Sequence, residues 1–173
     1  MGKMKPAESA MSPSEELRYL LEKAIERVLT NVDENGWSIP MAFALSPTGQ
    51  DILIAAESFD ENEPEPDDPQ ADLKKRSESI LFNIRRMIGR GQLRAFAFAR
   101  NLTITMESDV GPVQKAAVKV VLDHEAGGGS VAYLVYDPNR GKAKPVELFY
   151  NALEDSYFPE GSWPADMPRE PLA

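Results

Sequence analysis

The chain contains one histidine and no cysteine, so few side chains can do chemistry. His124 lies in Asp123-His124-Glu125, where a neighbouring carboxylate can orient an imidazole for proton transfer. A general base also needs a cleft and a group to activate. At the end of a strand beside a glycine turn, the simpler reading of His124 is an exposed, solvated side chain, and it is a weak catalytic candidate. Without cysteine there are no disulfides, thiol nucleophiles or thiolate metal sites, and a lone histidine cannot build a multi-histidine zinc site.

The next chemical signal is charge. Glu57, Asp60, Glu61, Glu63, Glu65, Asp67, Asp68 and Asp72 fall within residues 57–72 with no base among them. A hard-cation loop needs oxygens spaced around a glycine-made turn, whereas Asp60-Glu-Asn-Glu-Pro-Glu-Pro-Asp-Asp68 has prolines and no glycine. It reads as a solvated acidic loop over residues 57–71, and neither metal nor cofactor is expected. Folding back on the basic helix that follows would be loose, at ~0–1 kcal/mol per exposed pair.

Residues 74–100 reverse the sign: Lys74, Lys75, Arg76, Arg85, Arg86, Arg90, Arg94 and Arg100 against the single acid Glu78. Guanidinium groups fork onto carboxylates and phosphates, which makes Lys74, Lys75, Arg85, Arg86 and Arg90 the binding candidates. The bland alternative is the charged outer face of any surface helix. Gly89-Arg90-Gly91 lacks the spacing and the Lys-Ser/Thr ending of a phosphate loop. A net charge of −9 repels phosphate backbones, so a nucleic-acid partner is disfavoured.

These residues are positioned by a pattern of short elements. Ser12-Pro13-Ser14-Glu15 forms a helix-opening capping box, and Leu17, Leu20, Leu21, Ala24, Ile25, Val28 and Leu29 form one apolar stripe ending before Asn35-Gly36. Residues 37–45 and 51–56 read as a strand pair across the Ser46-Pro47-Thr48-Gly49 turn. Pro40 places the first of these at an edge, or leaves it paired only beyond the proline. A second helix spans residues 69 or 72 to 88. Strands follow at 93–106, 113–125 and 130–136, with Ala95, Ala97 and Ala99 facing away from Phe96 and Phe98. The stripe Val146, Phe149, Tyr150, Leu153 predicts a last helix over 144–154.

The result is an α+β fold around a mostly antiparallel five-stranded sheet, in the order helix-strand-strand-helix-strand-strand-strand-helix. In element order alone the chain resembles the roadblock and profilin-like folds. Residues 1–11 read as a disordered tail, 12–156 as one domain, and 157–173 as a proline-rich tail in which Trp163 is the large apolar group. No run approaches the ~18 apolar residues of a membrane span. The N-terminus has no secretory pattern, and Pro6 stands where a myristoylation start wants Ser or Thr. A cytoplasmic location is expected.

These features favour a non-enzymatic protein-interaction or regulatory module, binding a protein partner or a second copy. The surfaces for this are the acidic loop with the basic helix, or an uncovered sheet edge. The alternatives are a small enzyme or ligand-binding domain using carboxylates with His124 or Arg140, and an acidic inhibitor, immunity-like, that meets a basic partner.

Overall fold

In the computed structural model, residues 11–35, 38–55, 69–136, 145–153 and 156–158 are described. Helix α1 spans Pro13–Asn35 and opens as its sequence dictates. The Ser12 hydroxyl accepts the Glu15 N–H at 3.2 Å and lies 3.2 Å from the Glu15 carboxylate. Strands β1 (Met41–Leu45) and β2 (Asp51–Ala55) form the first hairpin, and helix α2 covers Pro69–Gly89. Strands β3 (Ala95–Ser108), β4 (Gly111–His124), β5 (Ser130–Tyr136) and β6 (Pro145–Ala152) complete one sheet.

The strand order is β2-β1-β3-β4-β5-β6, with every neighbouring pair antiparallel. The fold is α+β, but with six strands and two helices among the described residues instead of five and three. The expected helix over 144–154 is the edge strand β6, so the likeness to roadblock and profilin-like element order ends at the last element. Strand β5 explains the difference. It is buried on both faces, and an interior strand needs hydrogen-bond partners on both edges. Strand β4 supplies one edge and β6 the other. Pro145 is tolerated as the first residue of a strand, where its missing N–H costs no ladder bond.

Pro40 sits just before β1, so the strand is free of proline and lies inside the sheet between β2 and β3. The Ala/bulky alternation then sorts two cores. On one face α1 lays Leu17, Leu20, Leu21, Ala24 and Val28 over the small side chains Ala95, Ala97 and Ala99 and over Val118, Val120 and Leu122. On the other, Ile80, Ile84 and Ile88 of α2 meet Ala42, Ala44, Phe96 and Phe98. Alanines beneath each helix allow close approach, and the bulk that fills the layer comes from the opposite partner. Phe158, read from sequence as part of the tail, is buried in this second core with its ring 6.0 Å from that of Phe96. No described helix is long and apolar enough to cross a membrane.

Candidate functional site

His124 ends β4, but it is not solvated: it is 0% exposed, among the most enclosed side chains described. Its ring is held from two sides. The Ala126 N–H donates to Nδ1 at 3.0 Å, and Nε2 lies 3.2 Å from Glu16 Oε1 on the first turn of α1. Because Nδ1 accepts, the proton sits on Nε2 and is donated to Glu16. The other Glu16 oxygen receives Arg94 through Nε at 2.8 Å and through Nη2 as well. Arg94 also donates to the Pro47 carbonyl at 3.2 Å, tying the first hairpin to the same knot.

An imidazole with both nitrogens engaged and no solvent contact cannot take a proton from a substrate without dismantling the knot. The expectation of an exposed strand end is therefore corrected: the chain turns back at residues 125–127, and α1 closes over the ring. Next to it, Glu125 has its carboxyl pushed up, chiefly by burial, with the Arg94 charge opposing the shift and Glu16 adding to it.

Asp123 points to the opposite face and does different work. Its carboxylate accepts the Ser156 hydroxyl at 2.9 Å, the Tyr157 N–H at 2.6 Å and the His124 N–H at 2.9 Å. Burial raises its pKa, opposed by the Tyr157 N–H, the Ser156 hydroxyl and the His124 N–H. The carboxylate clasps residues 156–158 to the sheet, which sets Phe158 and Tyr157 against Phe96.

The basic candidates fall on α2 but do not converge. Lys74, Lys75, Arg85 and Arg86 are exposed along the helix, and Arg90 is exposed just past its end. At 1.5 Å per residue, Lys74 and Arg86 stand roughly 18 Å apart, so no single small anion spans them. Arg85 covers the Tyr157 ring at 5.6 Å, and Arg86 lies 6.0 Å from the Phe82 ring centroid. Arg76 pairs with Asp72 one turn away at 3.0 Å. Lys74 borders a cleft with Arg100 on β3. Across the β3–β4 ladder Arg100 faces Lys119, whose ammonium pKa is lowered by burial and then by the Arg100 charge. Residues 57–68 of the expected acidic loop lie outside the described residues, as do Arg140 and Trp163, while residues 69–71 already belong to α2.

The feature that sequence reasoning passed over is a mismatch of strand lengths. Strand β3 pairs with β1 only as far as Ala99↔Met41, yet it runs on with β4 to Ser108↔Gly111. Strand β5 pairs with β4 no further out than Ala116. Beyond those points the described structure is a two-stranded arm. Asn101 marks the end of the cover: its side chain accepts the Ser38 N–H at 3.3 Å and donates back to the Ser38 carbonyl, as a strand would.

On the arm, Leu102, Ile104 and Met106 alternate along one face and are half-buried, while Val110 at the tip is 91% exposed. The two edges differ. Strand β4 carries Pro112 and Lys115, both of which deter a further strand, whereas Leu102-Thr-Ile-Thr-Met106 has neither charge nor proline. The signal was present in the sequence as a long strand beside a short one. Comparison of the chain with known protein families, curated proteins and solved structures finds no match.

Proposed function

We propose that the chain is a protein-binding module that captures an extended segment of a partner on the edge of β3 that no described strand pairs beyond Ala99. The observation that supports this is the uncharged, proline-free run Leu102–Met106 extending past the last β1 pair at Ala99. A two-stranded ribbon is marginal in water by itself, and an added strand satisfies the open row of N–H and C=O groups while covering Leu102, Ile104 and Met106. The net charge of −9 favours a basic partner over an acidic one through long-range steering. The enzyme reading loses its best residue, because His124 is committed to the Glu16–Arg94 knot.

Thr103 and Thr105 are exposed on the arm, so Thr103→Lys/Thr105→Lys charges the edge without touching either core. Affinity capture from native lysate, treated with nuclease, is compared for the wild-type and doubly substituted chains. The partner is the protein retained by the first and lost from the second. Identical sets of captured proteins would remove β3 as the docking edge.

A further inference from the structure

Among the described residues, the face of the sheet that carries α1 is not fully roofed. The helix packs on β1, β3 and β4, and beyond it, toward β5 and β6, lies a groove of about 770 Å³. Its helix side is Leu17, Leu21 and Ile25, its floor includes Leu122 and Ser130, and Tyr150 of β6 stands at the far side. That volume falls within the ~300–1,000 Å³ range of small-molecule pockets.

Ser130 gives the groove its one unusual polar feature. The residue is only 7% exposed, and its Oγ has no hydrogen-bond partner among the described residues. Alternation along β5 puts it on the same face as Ala132 and Leu134, which belong to the α1 core. A buried hydroxyl without a partner is held at a cost unless something in the groove accepts a hydrogen bond from it. Arg18 and Glu22, both exposed, sit at the rim one helical turn apart, so the mouth presents both signs and selects no strong net charge.

We infer that this groove binds a small, mainly apolar molecule that carries one hydrogen-bond acceptor. The apolar body lies against Leu17, Leu21 and Leu122, and the acceptor receives a hydrogen bond from the Ser130 hydroxyl. A charged group at that depth would lose its hydration, and among the described residues the groove's cation, Arg18, stands at the rim and not beside Ser130, so the acceptor is neutral: a carbonyl, an ether or a ring nitrogen.

Acetophenone and ethylbenzene are matched probes, alike in apolar body and differing in the carbonyl. Amide chemical shifts of the labelled full chain are followed through a titration with each. Saturable shifts at Leu17, Leu21 and Ser130 are expected, with acetophenone bound roughly two- to tenfold more tightly, the value of one hydrogen bond. Ser130→Ala should bring the two probes level. Ala152→Trp fills the groove from an exposed position on β6 and should abolish both titrations while the thermal melt shows the fold intact. Shifts that do not saturate, or that survive Ala152→Trp, would overturn the site. Equal binding of the two probes by the wild-type chain would overturn the role of Ser130.

Discussion

Glu16 and His124 stand 108 positions apart in the chain and meet at 3.2 Å, with side chains 3% and 0% exposed. Glu16 lies on the first turn of α1, and His124 closes β4, so their hydrogen bond fixes where the helix begins on the sheet. With Arg94 on the second carboxylate oxygen, the knot joins α1, the first hairpin and the β4 terminus. It is a structural use of residues that look catalytic in the sequence.

Removing the carboxylate tests that role. Glu16→Ala leaves the His124 Nε2–H without its acceptor and the Arg94 guanidinium without its counter-ion. Breaking a buried pair costs about 3–5 kcal/mol, and Arg94 keeps some solvent contact, so the lower end is expected. Glu16→Gln keeps an acceptor for His124 and should cost about 1–2 kcal/mol. Urea unfolding of the three chains measures both. A loss below 1 kcal/mol for Glu16→Ala would mean that packing alone sets the helix.

Asp123 predicts a pH dependence of definite sign. Its folded pKa is raised by burial, so the native state holds this proton to higher pH than the unfolded chain does. The associated stability is fully present below the ordinary carboxylate range and is lost as pH rises through the raised folded value. Glu125 shifts the same way, which makes a difference measurement necessary. The unfolding free energy of the wild-type chain minus that of Asp123→Asn should fall as pH rises from about 3.5. It should then level off, because Asn removes only the Asp123 titration. A flat difference would show that the hydrogen bonds from residues 156 and 157 offset burial entirely.

Gly129 is a site where space, not backbone torsion, excludes a side chain. A Cβ there would stand 2.7 Å from the Leu122 carbonyl oxygen and 2.8 Å from Leu153 Cδ2, and its φ is not in the left-handed region. A backbone carbonyl cannot move aside cheaply, so Gly129→Ala should cost about 1–3 kcal/mol. At Gly89, the last residue of α2, a Cβ meets nothing within 4 Å. Gly89→Ala should be neutral or stabilise by up to about 1 kcal/mol, by restricting the unfolded chain. Thermal melts of the two variants should therefore move in opposite directions, or one not at all.

The sequence was most legible where a local rule decides the structure. Ser12 starts α1 by accepting the Glu15 N–H within one turn, and Pro40 keeps out of β1 because proline has no N–H for the ladder. Ala95, Ala97 and Ala99 face away from Phe96 and Phe98 as the strand period requires, and a helix packs on each of the two faces. The errors lie where the deciding contact is distant. Val146, Phe149, Tyr150 and Leu153 satisfy a helical stripe as well as they do a strand, and only the open edge of β5 selects the strand. His124 was misplaced for the same reason. Nothing near it in the chain indicates that Glu16 will cover it.

Two cores on opposite faces of one sheet make a prediction that a single mixed core does not. Ala97, fully buried beneath α1, has no room for added bulk, so Ala97→Leu should cost about 1–3 kcal/mol. Ile84 is fully buried under α2 in the other layer, and Ile84→Ala should cost about 2–5 kcal/mol by leaving a cavity. In one shared core the added leucine would partly fill the space that isoleucine vacates, and the double variant would recover stability. Here the sheet separates the two side chains into different layers, so the losses should sum to within about 0.5 kcal/mol. A double-mutant cycle by urea unfolding measures the remainder. A favourable coupling above about 1 kcal/mol would mean that the two layers communicate through the sheet, and that each helix helps to set the position of the other.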